Sequence, residues 1–294
     1  MLKVWRCWLD RVQQRNFLMV EFPGGLLTVG SAARTTREQP PHEVEVDAYS
    51  LADRCVSAAD FYAFLREAAD DVDHTMIDCI DPCFIVHRSG GFELRPGCGD
   101  YPMIQISFWA AAAYCNWLSR VEGLRPVYDL DARAADLGVD GYRMPTEAQW
   151  EAACRQGYPA GGPPDADNCN SADAGPICRK LRAGEAFSGS FLPGHPAPVP
   201  VASLPADAAG LYEMLGNLRE WCHDRFGPYS PEPVRNPSGA SRGAFRVVRG
   251  GSFIDPAQIL GPATRMAAHE DTKCEVYGFR VASPTSPTSH TRPR

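Results

Sequence analysis

Lysine is nearly missing from this 294-residue chain: only Lys3, Lys180 and Lys273 occur, and the rest of its 29 basic residues are arginines. A GC-rich genome accounts for that bias, although the planar arginine fork is also the better partner for carboxylates. An excess of positive charge is missing too. Asp and Glu number 36, and the net charge of −7 argues against binding to a nucleic-acid backbone or an anionic membrane surface. No apolar run is long; Phe108 to Cys115 falls far short of the ~20 residues that cross a bilayer. None of the eleven cysteines stands in a C-x2-C pair, so Cys79-Ile-Asp-Pro-Cys83 and the Cys169/Cys178 pair read as ordinary thiols rather than zinc ligands. The N-terminus lacks an uninterrupted apolar stretch, because Lys3, Arg6, Asp10 and Arg11 break it. Leu2, Trp5, Leu9 and Val12 recur there at helical spacing instead. From this we expect an amphipathic helix over 1–18, reduced thiols and a cytoplasmic protein.

Glycine and proline are abundant, with 26 of each. Together they make roughly 18% of the chain where about 12% is average, which signals many loops. The 44% apolar content still supplies a substantial core. Residues 19–32 alternate around Gly24-Gly25 and Gly30, which reads as a hairpin or two short strands, and His42 to Asp47 alternates as a strand. Ser57 with Asp60 and Thr146 with Gln149 have capping-box spacing, and Ser107 is a further N-cap, so three helices should start there. Residues 71–100 read as loop, 157–210 as a long excursion without period, 245–253 and 276–282 as strands, and 283–294 as a disordered tail.

Four long motifs stand in order. They are Met19 to Gly25 with Gly30-Ser31, Ile106 to Trp117, Gly141 to Ala153, and Gly210 to Trp221; Arg249-Gly-Gly-Ser-Phe253 and Gly278-Phe-Arg280 close the set. On these the chain resembles the formylglycine-generating-enzyme (sulfatase-modifying factor) family over residues 19–282. The resemblance implies one α+β domain with a loop-rich, C-type-lectin-like fold. It also implies copper held by two cysteines shortly after the Gly-Gly-Ser segment. Here those positions are Asp255 and Leu260, and a hard carboxylate and an alkane do not suit soft Cu(I). Formylglycine generation by that chemistry is therefore not expected. The sulfoxide synthases of ergothioneine biosynthesis bind iron through His-x3-His-x-Glu, a spacing absent here. Secreted members pair cysteines matching Cys115 and Cys154 with two others, whose positions hold Met266 and Val281.

The resemblance further implies a structural calcium loop of hard oxygen donors at Asn217, the Leu218 carbonyl and Glu220, with Asn170 opening a second. Ser252 matches the serine beside the family's copper, and Arg249, Arg265 and Arg280 match recurrent arginines, of which Arg249 and Arg265 are candidates for substrate binding. His223 and His269 replace residues usual in the family. With Asp255 they form a candidate two-His, one-carboxylate site for non-heme iron, with Ser252 beside it. Glu147 and Glu151 read as helix capping and packing instead. The functional expectation is a metal-dependent, iron-using oxidoreductase acting on an amino-acid, peptide or siderophore-like substrate in secondary metabolism, as in pyoverdine-maturation relatives. The alternative is a non-catalytic module that binds a small molecule or protein on the lectin-like scaffold.

Overall fold

The chain begins its described course at Asn16. The computed structural model describes residues 16–33, 35–80, 82–158, 164–165, 169–173 and 196–285. Most of the helix expected over 1–18 and of the tail expected over 283–294 lies outside these residues. Residues 16–18 are not helical, and Ser283 and Pro284 are in a strand.

Of the two readings of residues 19–32, two short strands is the one that forms: β1 (Met19–Phe22) and β2 (Gly25–Val29) do not pair with each other. Gly24, at φ 74°, passes so close to the end of β3 (His42–Val46) that a Cβ there would lie 2.4 Å from the Val46 carbonyl oxygen. The Pro23-Gly24 step therefore sends β2 onto β3, while β1 pairs antiparallel with β4 (Tyr49–Ala52). Helix α1 (Ala58–Ala68) starts at a complete capping box of Ser57 and Asp60. The segment 71–100, read as loop, contains the hairpin of β5 (Ile85–Arg88) and β6 (Gly91–Leu94), whose short alternation was hidden among polar residues. Helix α2 (Phe108–Val121) is capped by Ser107 and is buried at every residue from Phe108 to Ser119. Its Tyr114 ring stacks on Phe61 of α1 at 5.8 Å. Aromatic burial of this kind contributes roughly 1.5–3 kcal/mol per side chain.

After the small hairpin of β7 (Tyr128–Asp129) and β8 (Ala134–Ala135), helix α3 (Glu147–Gly157) begins at the Thr146–Gln149 capping box. Strand β9 (Arg219–Arg225), the short β10 (Val234–Arg235), β11 (Phe245–Arg249), β12 (Arg265–His269), β13 (Tyr277–Gly278) and β14 (Ala282–Pro284) complete the order. The four-stranded sheet runs β12-β11-β9-β13; two three-stranded sheets run β1-β4-β14 and β10-β3-β2. The central sheet divides the core. Trp221 and Val248 face the cluster around α1 and α2, whereas the alternate residues Cys222 and Val247 face the cluster around Trp150 of α3.

Two expected strands are shorter than their sequence patterns. Pairing of β11 stops at Arg249, since Gly250 and Gly251 turn the chain at φ 87° and 72°. Residues 276–282 split between two sheets, with Phe279 to Val281 crossing from one to the other. Cys115 and Cys154 are buried free thiols.

Candidate functional site

The Arg-Gly-Gly-Ser turn and the Gly-Asn turn are built against each other. Gly216, at φ 79°, donates its N–H to the Gly250 carbonyl at 2.9 Å, and a Cβ on Gly216 would lie 2.6 Å from the Asn170 carbonyl oxygen. Ser252 and Asp255 then close a tight turn in which Asp255 N–H donates to the Ser252 carbonyl at 3.0 Å.

Asp255 receives four donors. Arg219 approaches as a fork, Nη2 to Oδ1 at 2.6 Å and Nε to Oδ2 at 3.0 Å. The Ser252 backbone N–H and hydroxyl donate to Oδ2 at 2.8 and 2.9 Å. Three of these donors converge on Oδ2 and one reaches Oδ1, so the carboxylate is committed to Arg219 and to its own turn. Ser252 is fully buried and its hydroxyl proton is committed to Asp255. Leu260, at the second position where the resemblance implies a copper thiol, is also buried.

The iron trio does not assemble. Asp255 follows the end of β11 where Arg249 faces Arg265, whereas His269 faces Phe245 at the other end of that strand pair. Four residues of strand separate the two ends, about 13 Å. His269 points to the surface, its ring against Phe245 at 5.6 Å and Asp271 at 3.8 Å. His223 is buried on β9, 3.4 Å from the Tyr128 hydroxyl. Burial first, then the positive charges of Arg143, Arg246 and Arg225, push its pKa down to about 3, so the imidazole is neutral. Among the described residues no three His, Cys, Asp or Glu side chains gather as a metal group.

The calcium loop implied by resemblance does not fit either. Asn217 Oδ1 already accepts from Val199 N–H at 2.9 Å and from the Asn170 amide at 3.0 Å. Glu220 accepts the Arg280 fork at 2.7 Å on each oxygen, together with the Trp150 indole N–H at 2.8 Å and the Cys55 thiol at 3.4 Å. Donor hydrogens thus occupy the side-chain oxygens that a cation would need. Asn170 gives its other amide hydrogen bond to the Ala197 carbonyl at 3.0 Å and so ties segments together. Leu218 buries its side chain against Gly278.

The two arginines expected at substrate are structural clamps. Arg249 is fully buried, paired with Glu151 of α3, and donates to the carbonyls of Pro262, Ala263 and Thr264. Arg265 forks onto Glu147 at 2.6 and 2.8 Å, reaches the carbonyls of Arg37 and Gly227, and lies over the Phe226 and Tyr229 rings. Glu147 and Glu151, read as capping and packing, are instead the buried ion-pair partners of Arg265 and Arg249, and the cap itself is made by Thr146 and Gln149. Sequence reasoning missed Arg219, the partner of Asp255; an arginine beside Glu220 in an otherwise apolar motif was the available signal.

The sequence profile of the Sulfatase-modifying factor enzyme 1-like domain matches residues 9–285. The chain belongs to this family. Among its sulfatase-modifying-factor relatives, the formylglycine-generating enzyme of Streptomyces coelicolor is 25% identical, over 92% of this chain and 90% of that one. The serine/threonine-protein kinase pkn1 of Chlamydia caviae is 28% identical over 90% of this chain, which spans only 37% of the kinase's length. The solved structure of Treponema denticola variable protein 1 superimposes with a TM-score of 0.65 at 23% identity, covering 91% of this chain and 95% of that one. These likenesses agree with the α+β, loop-rich fold.

Proposed function

We propose that this sulfatase-modifying-factor homologue is a binding protein, holding a peptide or small-molecule ligand at the Arg-Gly-Gly-Ser turn and the loop after it, without copper–thiol oxidation. The observation that carries the reading is Asp255, held by the Arg219 fork and by both Ser252 donors where copper thiols are implied. A hard carboxylate already paired with a guanidinium cation does not suit soft Cu(I). Exposed Ile254 and Ile259 on the same loop supply apolar contact surface beside it. The iron-dependent oxidation anticipated from His223, His269 and Asp255 has no geometric support, and family membership alone assigns no chemistry.

Oxygen uptake tests this. Protein loaded with Cu(I), or anaerobically with Fe(II), is mixed with a cysteine-containing peptide; uptake should equal the protein-free control, and turnover with either metal overturns the reading. Peptides selected from a displayed library should bind the wild type and lose binding in Ile254→Glu. Failure to select any binder also counts against it.

A further inference from the structure

We propose that a second cavity, separate from the Arg-Gly-Gly-Ser turn, binds a small oxyanion: the carboxylate or phosphoryl group of a metabolite. It lies between the β7–β8 hairpin, β9 and residues 238–241, and encloses about 430 Å³. That volume is within the range of small-molecule sites. Trp109, Arg133, His223, Arg225 and Arg246 line it together with Ser238 and Ser241, and no carboxylate does.

Charge and hydrogen bonding point the same way. Arg133 and Arg246 are met by Glu270, and Arg133 also by Asp271; against three guanidinium groups this leaves an excess of positive charge. The buried His223 is neutral, for the reasons given above, and so adds no charge to this count. The Trp109 indole is 1% exposed and its N–H has no acceptor among the described residues. A buried donor left without a partner is costly, which makes it informative. Arg246 uses Nε on Glu270 and Nη1 on the His223 carbonyl, and Arg225 uses Nε on the Gly243 carbonyl. Arg225 Nη2 also reaches the Arg133 carbonyl at 3.5 Å. Stacking of Arg246 on Phe108 at 4.0 Å holds its fork in place before any ligand arrives. Planar, charge-assisted forks of this kind match carboxylate and phosphoryl oxygens. The inference does not depend on the binding role proposed for the Asp255 turn.

The test is calorimetric titration of the full chain in chloride buffer with inorganic phosphate and, separately, with benzoate. At least one should bind with one-to-one stoichiometry; which one separates a phosphoryl from a carboxylate ligand. Trp109→Phe keeps the ring and deletes the N–H, and Arg225→Gln deletes one guanidinium. Each should weaken binding about fivefold or more, with the melting temperature close to wild type. Absence of binding by both anions at millimolar concentration, or equal affinity in wild type and both variants, overturns the proposal.

Discussion

Asp255 shows how one substitution changes what a position does. Where a thiolate pair would hold a soft metal, the carboxylate instead draws in Arg219 and the Ser252 hydroxyl and becomes part of the turn. The pair is largely buried, at 14% and 9% side-chain exposure, so it is costly to break on one side only. Arg219→Met should destabilise the fold by about 3 kcal/mol, measured by urea denaturation. Adding Asp255→Asn in that background should recover part of the loss, because the uncompensated charge is removed. A double variant no more stable than Arg219→Met would mean that charge pairing is not what holds the turn.

Among the elements, the helices are governed by local signals and the loops by distant partners. Each cap read from the sequence forms, since Ser57, Ser107 and Thr146 reach N–H groups only three residues on. The loop at 202–204 has no such local device. It is held by Glu213, which accepts the backbone N–H groups of Ala202 and Leu204 at 3.0 and 3.1 Å. Burial nonetheless pushes the Glu213 carboxyl up from 4.5 to about 7. A group whose pKa is higher folded than unfolded adds stability fully present below about pH 4.5 and lost as pH rises through about 7. The full effect is on the order of 3 kcal/mol. Thermal melts across this interval should therefore decline with pH more steeply in wild type than in Glu213→Gln; parallel slopes would contradict the assignment.

At the scale of the whole molecule, buried arginine–carboxylate pairs frame the described residues. Arg280 spends all five N–H donors on Glu220 and the carbonyls of Ala52, Asp53 and Tyr212, joining the central sheet to β4. Arg249 and Arg265 fasten the 262–265 segment to α3 in the same way. Because the oxygens of Asn217 and Glu220 are already filled, the melting temperature should be unchanged by a calcium chelator such as EGTA, and by dithiothreitol, given the free thiols of Cys115 and Cys154. A drop of several degrees with EGTA would restore the calcium loop. No helix among the described residues is long and apolar enough to cross a membrane.

What the amino-acid order determined by itself was the set of short-range features and the family frame. Caps, helix faces and the motif order depend on residues a few positions apart, so they were legible before any coordinates. The fate of each polar side chain was not. Asp255 and Glu220 look like metal ligands in one dimension, and only the fold delivers Arg219 and Arg280 to their oxygens. His223 and His269 read as a pair, yet strand register sends one into the core and the other to the surface. The cavity of Trp109, Arg225 and Arg246 draws on residues more than a hundred positions apart; long-range packing of α2 against the central sheet brings them together, and no local pattern encodes that meeting.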